Sequence, residues 1–156
     1  MKTGKFLSLL ALSAVTFISC SDDDDPEPVN EEEVITTMTI TLIPQGGGNT
    51  ITLKSQDLDG DGPNPPEITV SGNLTANTDY NGSIELLNET ETPAEDITEE
   101  VEEEADEHQF FFTVGGSLSA TTCCSNLDGN GNPLGTTFVL EAGDASVGTL
   151  RFTLRH

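Results

Sequence analysis

From Val34 the chain alternates. Val34, Thr36, Met38, Ile40 and Leu42 share one parity and Thr37, Thr39 and Thr41 take the other, which is the period of a strand with one face buried. Gly46-Gly47-Gly48 interrupts this run, and Ile51 with Leu53 resumes it. Further strands are predicted around Ile68 and Val70, around Tyr80, Ile84 and Leu86, and around Phe110, Phe112 and Val114. Gly115-Gly116 then reads as a two-residue hairpin, with Leu118, Ala120, Thr122 and Cys124 following on one parity. Phe138 with Leu140, and Leu150 with Phe152 and Leu154, supply the last two strands. About eight strands with turn residues between them predict a mainly β domain over residues 34–156, an antiparallel β-sandwich of the immunoglobulin-like or a related kind.

One segment breaks the period of two. Thr92-Pro93-Ala94-Glu95 has the residues of a capping box with Pro at the first helical position, so a helix is predicted near 93–108. Ala94, Ile97, Val101, Ala105 and His108 fall on one narrow face of it, and nine acids lie between Glu95 and Glu107. Six acid pairs at i, i+4 oppose that helix by about 1–3 kcal/mol, partly offset where acids meet the N-terminal end of the dipole. The acidic face is read as solvated, lying on the sheet surface; divalent ions, a basic partner or salt would relieve it. Leu74 to Tyr80 resembles the turn leading into the tyrosine corner of immunoglobulin-like sandwiches; the alternative is a Tyr packed on a strand face.

The amino-terminal stretch has a different logic. Lys2 and Lys5 precede an apolar run from Phe6 to Ile18, the layout of a secretory signal and too short to span a bilayer. Phe17-Ile18-Ser19-Cys20 resembles a bacterial lipobox, and Ser21, Asp22, Asp23, Asp24 and Asp25 resemble the acidic export signal of Bacteroidota surface lipoproteins. Residues 1–19 are thus expected to be a lipoprotein signal peptide and residues 20–33 a lipidated Cys20 followed by an acidic tether. The alternative is an ordinary cleaved signal with Cys20 an incidental thiol. Lipidation implies anchoring in the outer membrane with display at the cell surface, the acyl chains being the only membrane contact. Four Asp, four Glu and two Pro in residues 21–33 cannot build a core and repel one another, and thirteen extended residues reach at most roughly 43 Å.

Charge then narrows the partners. The chain carries 5 basic and 28 acidic side chains, a net charge of -23. Beyond position 20 the only bases are Lys54, Arg151 and Arg155, so a nucleic-acid partner is excluded, because phosphates are held by Lys and Arg.

Leu58-Asp59-Gly60-Asp61-Gly62, Asn81-Gly82-Ser83-Ile84, the run Pro93 to Val101, Glu104 to Phe110 and the end from Leu150 to His156 together resemble a family of uncharacterised flavobacterial lipoproteins. Some members are labelled as a type 1 periplasmic binding fold superfamily. The resemblance implies a lipoprotein and brings no activity or catalytic residues. The label implies two α/β lobes, which a chain of this length with one helix cannot build.

Candidate chemistry is sparse. Asp57, Asp59 and Asp61, with Gly60 and Gly62, space oxygen ligands as in the opening of a calcium loop. Counted from Asp57, the twelfth position is Ile68, Glu67 sits one place early, and Pro63, Pro65 and Pro66 stiffen the second half. An EF-hand is therefore excluded; a looser, weak calcium site stands against an Asx-rich turn. Asn126-Leu127-Asp128-Gly129-Asn130-Gly131 repeats the spacing with less charge and reads as a hairpin loop. Cys123 and Cys124 should face opposite sides of a strand, Cys124 inward. His108 and His156 have no Cys or second His at ligand spacing, so no transition-metal site is predicted, and His108 is read as a helix-terminal residue. No nucleophile motif, phosphate loop or assignable carboxylate pair appears. The expected function is a non-catalytic binding or accessory module with no cofactor and an unidentified protein or solute partner. The alternatives are a solute-binding lipoprotein for an outer-membrane transporter, which needs a sizeable apolar pocket, and an extracellular hydrolase.

Overall fold

The computed structural model of the chain describes residues 33–60 and 62–156. The expected signal peptide, Cys20, Ser21 and Asp22 to Asp25 lie outside the described residues, as does Asp61. Nine strands and one helix follow in order: β1 (Thr37–Pro44), β2 (Ile51–Gln56), β3 (Glu67–Val70), β4 (Thr78–Asn88), β5 (Glu95–Asp96), α1 (Ile97–Glu103), β6 (Gln109–Gly116), β7 (Ala120–Cys124), β8 (Thr137–Ala142) and β9 (Gly148–Arg155). The eight strands read from the alternation correspond to all of these except β5, a two-residue acidic segment.

The strands form two antiparallel sheets. The larger runs β3-β2-β1-β4-β8-β7 with β5 added beside β4, and the smaller is the ribbon β6-β9. Every described pairing is antiparallel, and no βαβ unit occurs among the described residues, so the two α/β lobes implied by the family label are not built here.

Alternation becomes packing most plainly in β4. Tyr80, Gly82, Ile84, Leu86 and Asn88 are buried while Asn81, Ser83 and Glu85 between them are exposed. Ile40 and Leu42 from β1, Phe138 and Leu140 from β8, and Phe110 from β6 join them in one core. The ribbon reaches that core through rings. Phe112 lies 4.8 Å from Phe138 and 5.7 Å from Phe152 between ring centroids. Gly82 is required here, since a Cβ on it would meet the Phe138 ring at 2.3 Å.

Two expectations about local structure are corrected. Gly115-Gly116 does not make a hairpin. Gly115 pairs with Thr149 and Gly116 with Gly148, both in the ribbon, and the chain then crosses to the larger sheet, where β7 pairs β8. The glycines permit close approach instead: a Cβ on Gly148 would lie 2.3 Å from the Gly115 carbonyl oxygen.

The helix is shorter than 93–108. Glu95 and Asp96 pair with Asn88 and Leu87, which holds their backbone in the sheet, and Asp96 rather than Thr92 is the N-cap, accepting from Thr98 N at 2.9 Å. The Thr98 hydroxyl pins the first turn by accepting from the Leu86 amide at 2.9 Å. Ile97, Val101 and His108 are buried on the expected stripe, but Ala94 lies outside the helix and is exposed. The strand predicted around Ile68 and Val70 forms as β3, and all four of its residues are exposed.

The turn before Tyr80 has the corner geometry. The Tyr80 hydroxyl accepts from the Thr75 amide at 2.8 Å and the ring is buried. Cys123 is exposed as its parity requires; the side chain of Cys124 lies outside the described residues. No helix among the described residues is long and apolar enough to cross a membrane.

Candidate functional site

The register of the ribbon creates a site that spacing along the chain does not show. Gln109 pairs with Arg155, so the residues one step beyond, His108 and His156, come side by side. Their rings stack with centroids 4.7 Å apart and planes 11° from parallel. Glu33, just ahead of β1, arrives from the other end of the domain and places Oε1 3.0 Å from His108 Nε2.

Burial makes this cluster unusual. The His108 side chain is 0 % exposed and that of Glu33 7 %, and burying such groups is costly unless they are paired and hydrogen-bonded. His108 Nδ1 sits 3.1 Å from the Glu104 carbonyl oxygen at the end of α1. That carbonyl can only accept, so Nδ1 carries a hydrogen and Nε2 faces Glu33. The Nε2 to Oε1 contact is within ion-pair reach but misses hydrogen-bond geometry, and neither atom has another hydrogen-bond partner among the described residues. His156 is exposed, with Nε2 3.2 Å from Glu107 Oε2. One ligand atom from each of Glu33, His108 and His156 falls within 4.8 Å of the others. A recess of about 390 Å³ opens beside them, lined in part by Asp106, Glu107, His108 and His156. Spacing along the chain gave neither His a Cys or second His at ligand distance; the groups that could share an ion with them are distant in sequence and are brought together through the β6-β9 pairing.

The calcium expectation fares differently. Asp57 is half-buried just after β2, and its Oδ1 is buried with no hydrogen-bond partner among the described residues. Asp59 is exposed and turned onto its own loop, where it accepts from Asn64 Nδ2 at 2.6 Å while its carbonyl accepts from the Gly62 amide at 2.9 Å. The Asn64 carboxamide holds the Asp59 carboxyl below its ordinary 3.8, against an opposing effect of desolvation. That is the geometry of an Asx-rich turn.

The second Asx-Gly loop is filled in the same way. Asp128 Oδ1 accepts from the Asn130 and Asn132 amides at 2.8 and 2.7 Å, and Oδ2 accepts from Asn132 Nδ2 at 2.9 Å. The Asn132 side chain and amide lower the Asp128 pKa below 3.8. An isolated bridge between Leu127 and Pro133 closes the loop.

The acidic face of α1 is largely exposed, as read from the sequence. Within it the Glu100 carboxyl is pushed up, first by desolvation and then by the neighbouring charges of Glu33, Glu95 and Glu104.

An apolar trough lies away from the histidines. About 560 Å³ in volume, it runs between the β2-β3 edge and the segment 142–150, with Leu53, Ile68, Val70, Leu74, Val147 and Leu150 in its lining. Ile68, Val70 and Val147 are 74 %, 56 % and 84 % exposed, and β3 is an outer strand of its sheet, paired only with β2. The alternation predicted a strand around Ile68 and Val70; the signal for its exposed position is its short length between Pro65, Pro66 and Gly72. No protein family, no curated protein and no solved structure matches this chain.

Proposed function

We propose that this protein is a lipoprotein anchored through Cys20 in the outer membrane, displayed at the surface, and acting as a non-catalytic binding module. Its lipobox and the acidic run Asp22 to Asp25 support the address, in keeping with the resemblance to flavobacterial lipoproteins. The scaffold is read as an open two-layer β-sandwich of immunoglobulin-like kind, supported by the Phe112 and Phe138 contact between the sheets and by the Tyr80 corner.

The trough carries the binding reading. A short outer strand offers unpaired backbone groups beside exposed Ile68 and Val70, the arrangement that captures an extended segment of another protein by strand addition. The chain's charge of -23 favours a segment that is neutral or cationic. A photo-crosslinker at Val147 should then capture a polypeptide at the cell surface, amide exchange in β3 should slow in the complex, and Ile68→Asp with Val70→Asp should remove both effects. Capture that leaves β3 exchange unchanged defeats the strand-addition reading. Cys20→Ala should abolish lipid labelling and release the protein from membranes; continued labelling and retention would refute the anchor.

The trough volume also suits a second reading, a solute-binding lipoprotein serving an outer-membrane transporter, since apolar pockets of about 300–1,000 Å³ hold small molecules. Native mass spectrometry separates the two. A retained small molecule lost in the Ile68→Asp and Val70→Asp variant selects the solute.

A further inference from the structure

We propose that Glu33, His108 and His156 form a zinc site that joins the start of the domain to the end of its ribbon. With its Nδ1 hydrogen directed at the Glu104 carbonyl, the ring of His108 turns Nε2 toward a carboxylate oxygen 3.0 Å away, both atoms shut off from solvent and outside hydrogen-bond geometry. Two facing acceptors repel unless something positive lies with them.

A divalent ion suits that pair. Two ligands of one tetrahedral zinc, each about 2.0–2.1 Å from the metal, sit roughly 3.3 Å apart, close to the observed separation. The backbone carbonyl on Nδ1 is the support that orients ligating histidines and raises their basicity. His156 completes a set of two imidazoles and a carboxylate whose ligand atoms already lie within 4.8 Å. Its ring stacks nearly parallel to that of His108, so it must turn from Glu107 to point its lone pair at a shared ion, a movement open to an exposed residue beyond the end of β9. The recess beside the cluster leaves a fourth position to water. Nitrogen donors select against calcium and magnesium, which take oxygen ligands, so this site is separate from the Asp57, Asp59 and Asp61 reading. The acidic chain raises the local concentration of any cation.

The test uses the full-length chain without a histidine tag, titrated with zinc and, as a spectroscopic probe, cobalt. One equivalent should bind at micromolar concentration or below, cobalt should give the visible absorption of tetrahedral nitrogen and oxygen coordination, and zinc should raise the melting temperature where equal calcium or magnesium does not. His156→Ala and Glu33→Gln should each weaken zinc at least ten-fold and abolish the cobalt spectrum. His156→Ala decides the matter if His108→Gln fails to fold by circular dichroism, because it changes only an exposed side chain. Absence of stoichiometric binding at micromolar zinc, or an affinity unchanged in both His156→Ala and Glu33→Gln, overturns the proposal and leaves a proton as the only cation between Glu33 and His108.

Discussion

Asp57-Leu58-Asp59-Gly60-Asp61-Gly62 and Asn126-Leu127-Asp128-Gly129-Asn130-Gly131 are two copies of one spacing, and they differ most at the first position. In the second loop that position is Asn126, whose Oδ1 accepts from the Gly135 and Thr137 amides at 3.0 and 3.1 Å. Its Nδ2 donates to the Thr136 hydroxyl at 2.6 Å, and that hydroxyl donates to Glu102 at 2.6 Å. In the first loop the position is Asp57, which has an oxygen buried without a partner. A carboxamide both donates and accepts, whereas a carboxylate only accepts. The third positions, Asp59 and Asp128, behave alike, each gripping an Asn carboxamide. The comparison shows that the Asx-Gly pattern specifies a turn, and that the residue opening it decides how firmly the turn is tied to the sheet.

The largest test removes that tie. Asn126→Ala should cost about 2–3 kcal/mol in urea unfolding, because it strands the amide of buried Gly135 and removes the bonds to the Thr137 amide and the buried Thr136 hydroxyl. Asn64→Ala, on an exposed loop, should cost only about 0.5 kcal/mol. Equal losses would mean that the two loops are held alike.

A smaller effect, opposite in sign, is expected from Asp57→Asn. Replacing a partly buried carboxylate whose Oδ1 has no hydrogen-bond partner among the described residues should raise stability by about 0.5 kcal/mol at neutral pH. A clear loss on substitution would show that the carboxylate has a stabilising partner.

Acid titration sharpens the likeness of the third positions. Asp59 and Asp128 are both held below 3.8 in the fold. Their contribution is present above the unfolded pKa and disappears as pH falls through the lower folded value. Asp128→Asn should therefore weaken the fold at pH 6 and flatten its acid sensitivity below about pH 4, and Asp59→Asn should do the same more weakly. A parent and variant that lose stability in parallel between pH 5 and 2 would contradict this.

The smallest effect is expected with calcium. Any rise in melting temperature should be matched by magnesium or ordinary salt and retained in Asp59→Asn with Asp61→Asn, because screening of the chain's charge is diffuse. A calcium-selective rise lost in that variant would assign the first loop a specific site.

Legibility in the sequence followed the range of the interactions. Eight strands were readable because burying one face imposes a period of two, and the reading missed only β5, whose two acidic residues are exposed and carry no such period. The capping-box residues at Thr92 to Glu95 do not start the helix, because the backbone of Glu95 and Asp96 pairs with β4, and no local pattern reports a distant strand's demand. Gly115-Gly116 misled for the same reason, since their partners Thr149 and Gly148 lie more than thirty positions away. The cluster of Glu33, His108 and His156 is the extreme case. Each residue was visible, yet only the pairing of Gln109 with Arg155 places the two rings together.

The position of β1 has a mechanical consequence. The acidic segment before it enters the fold through this strand, which lies inside the larger sheet with β2 on one side and β4 on the other. Six residue pairs join it to β2 and eight to β4. If the domain is displayed as proposed, drag transmitted along the acidic segment and resisted at the trough would load both ladders lengthwise, so many hydrogen bonds would have to yield together. Had the tether led into an outer strand such as β3 or β7, the same pull would detach a single ladder from its end, one bond after another.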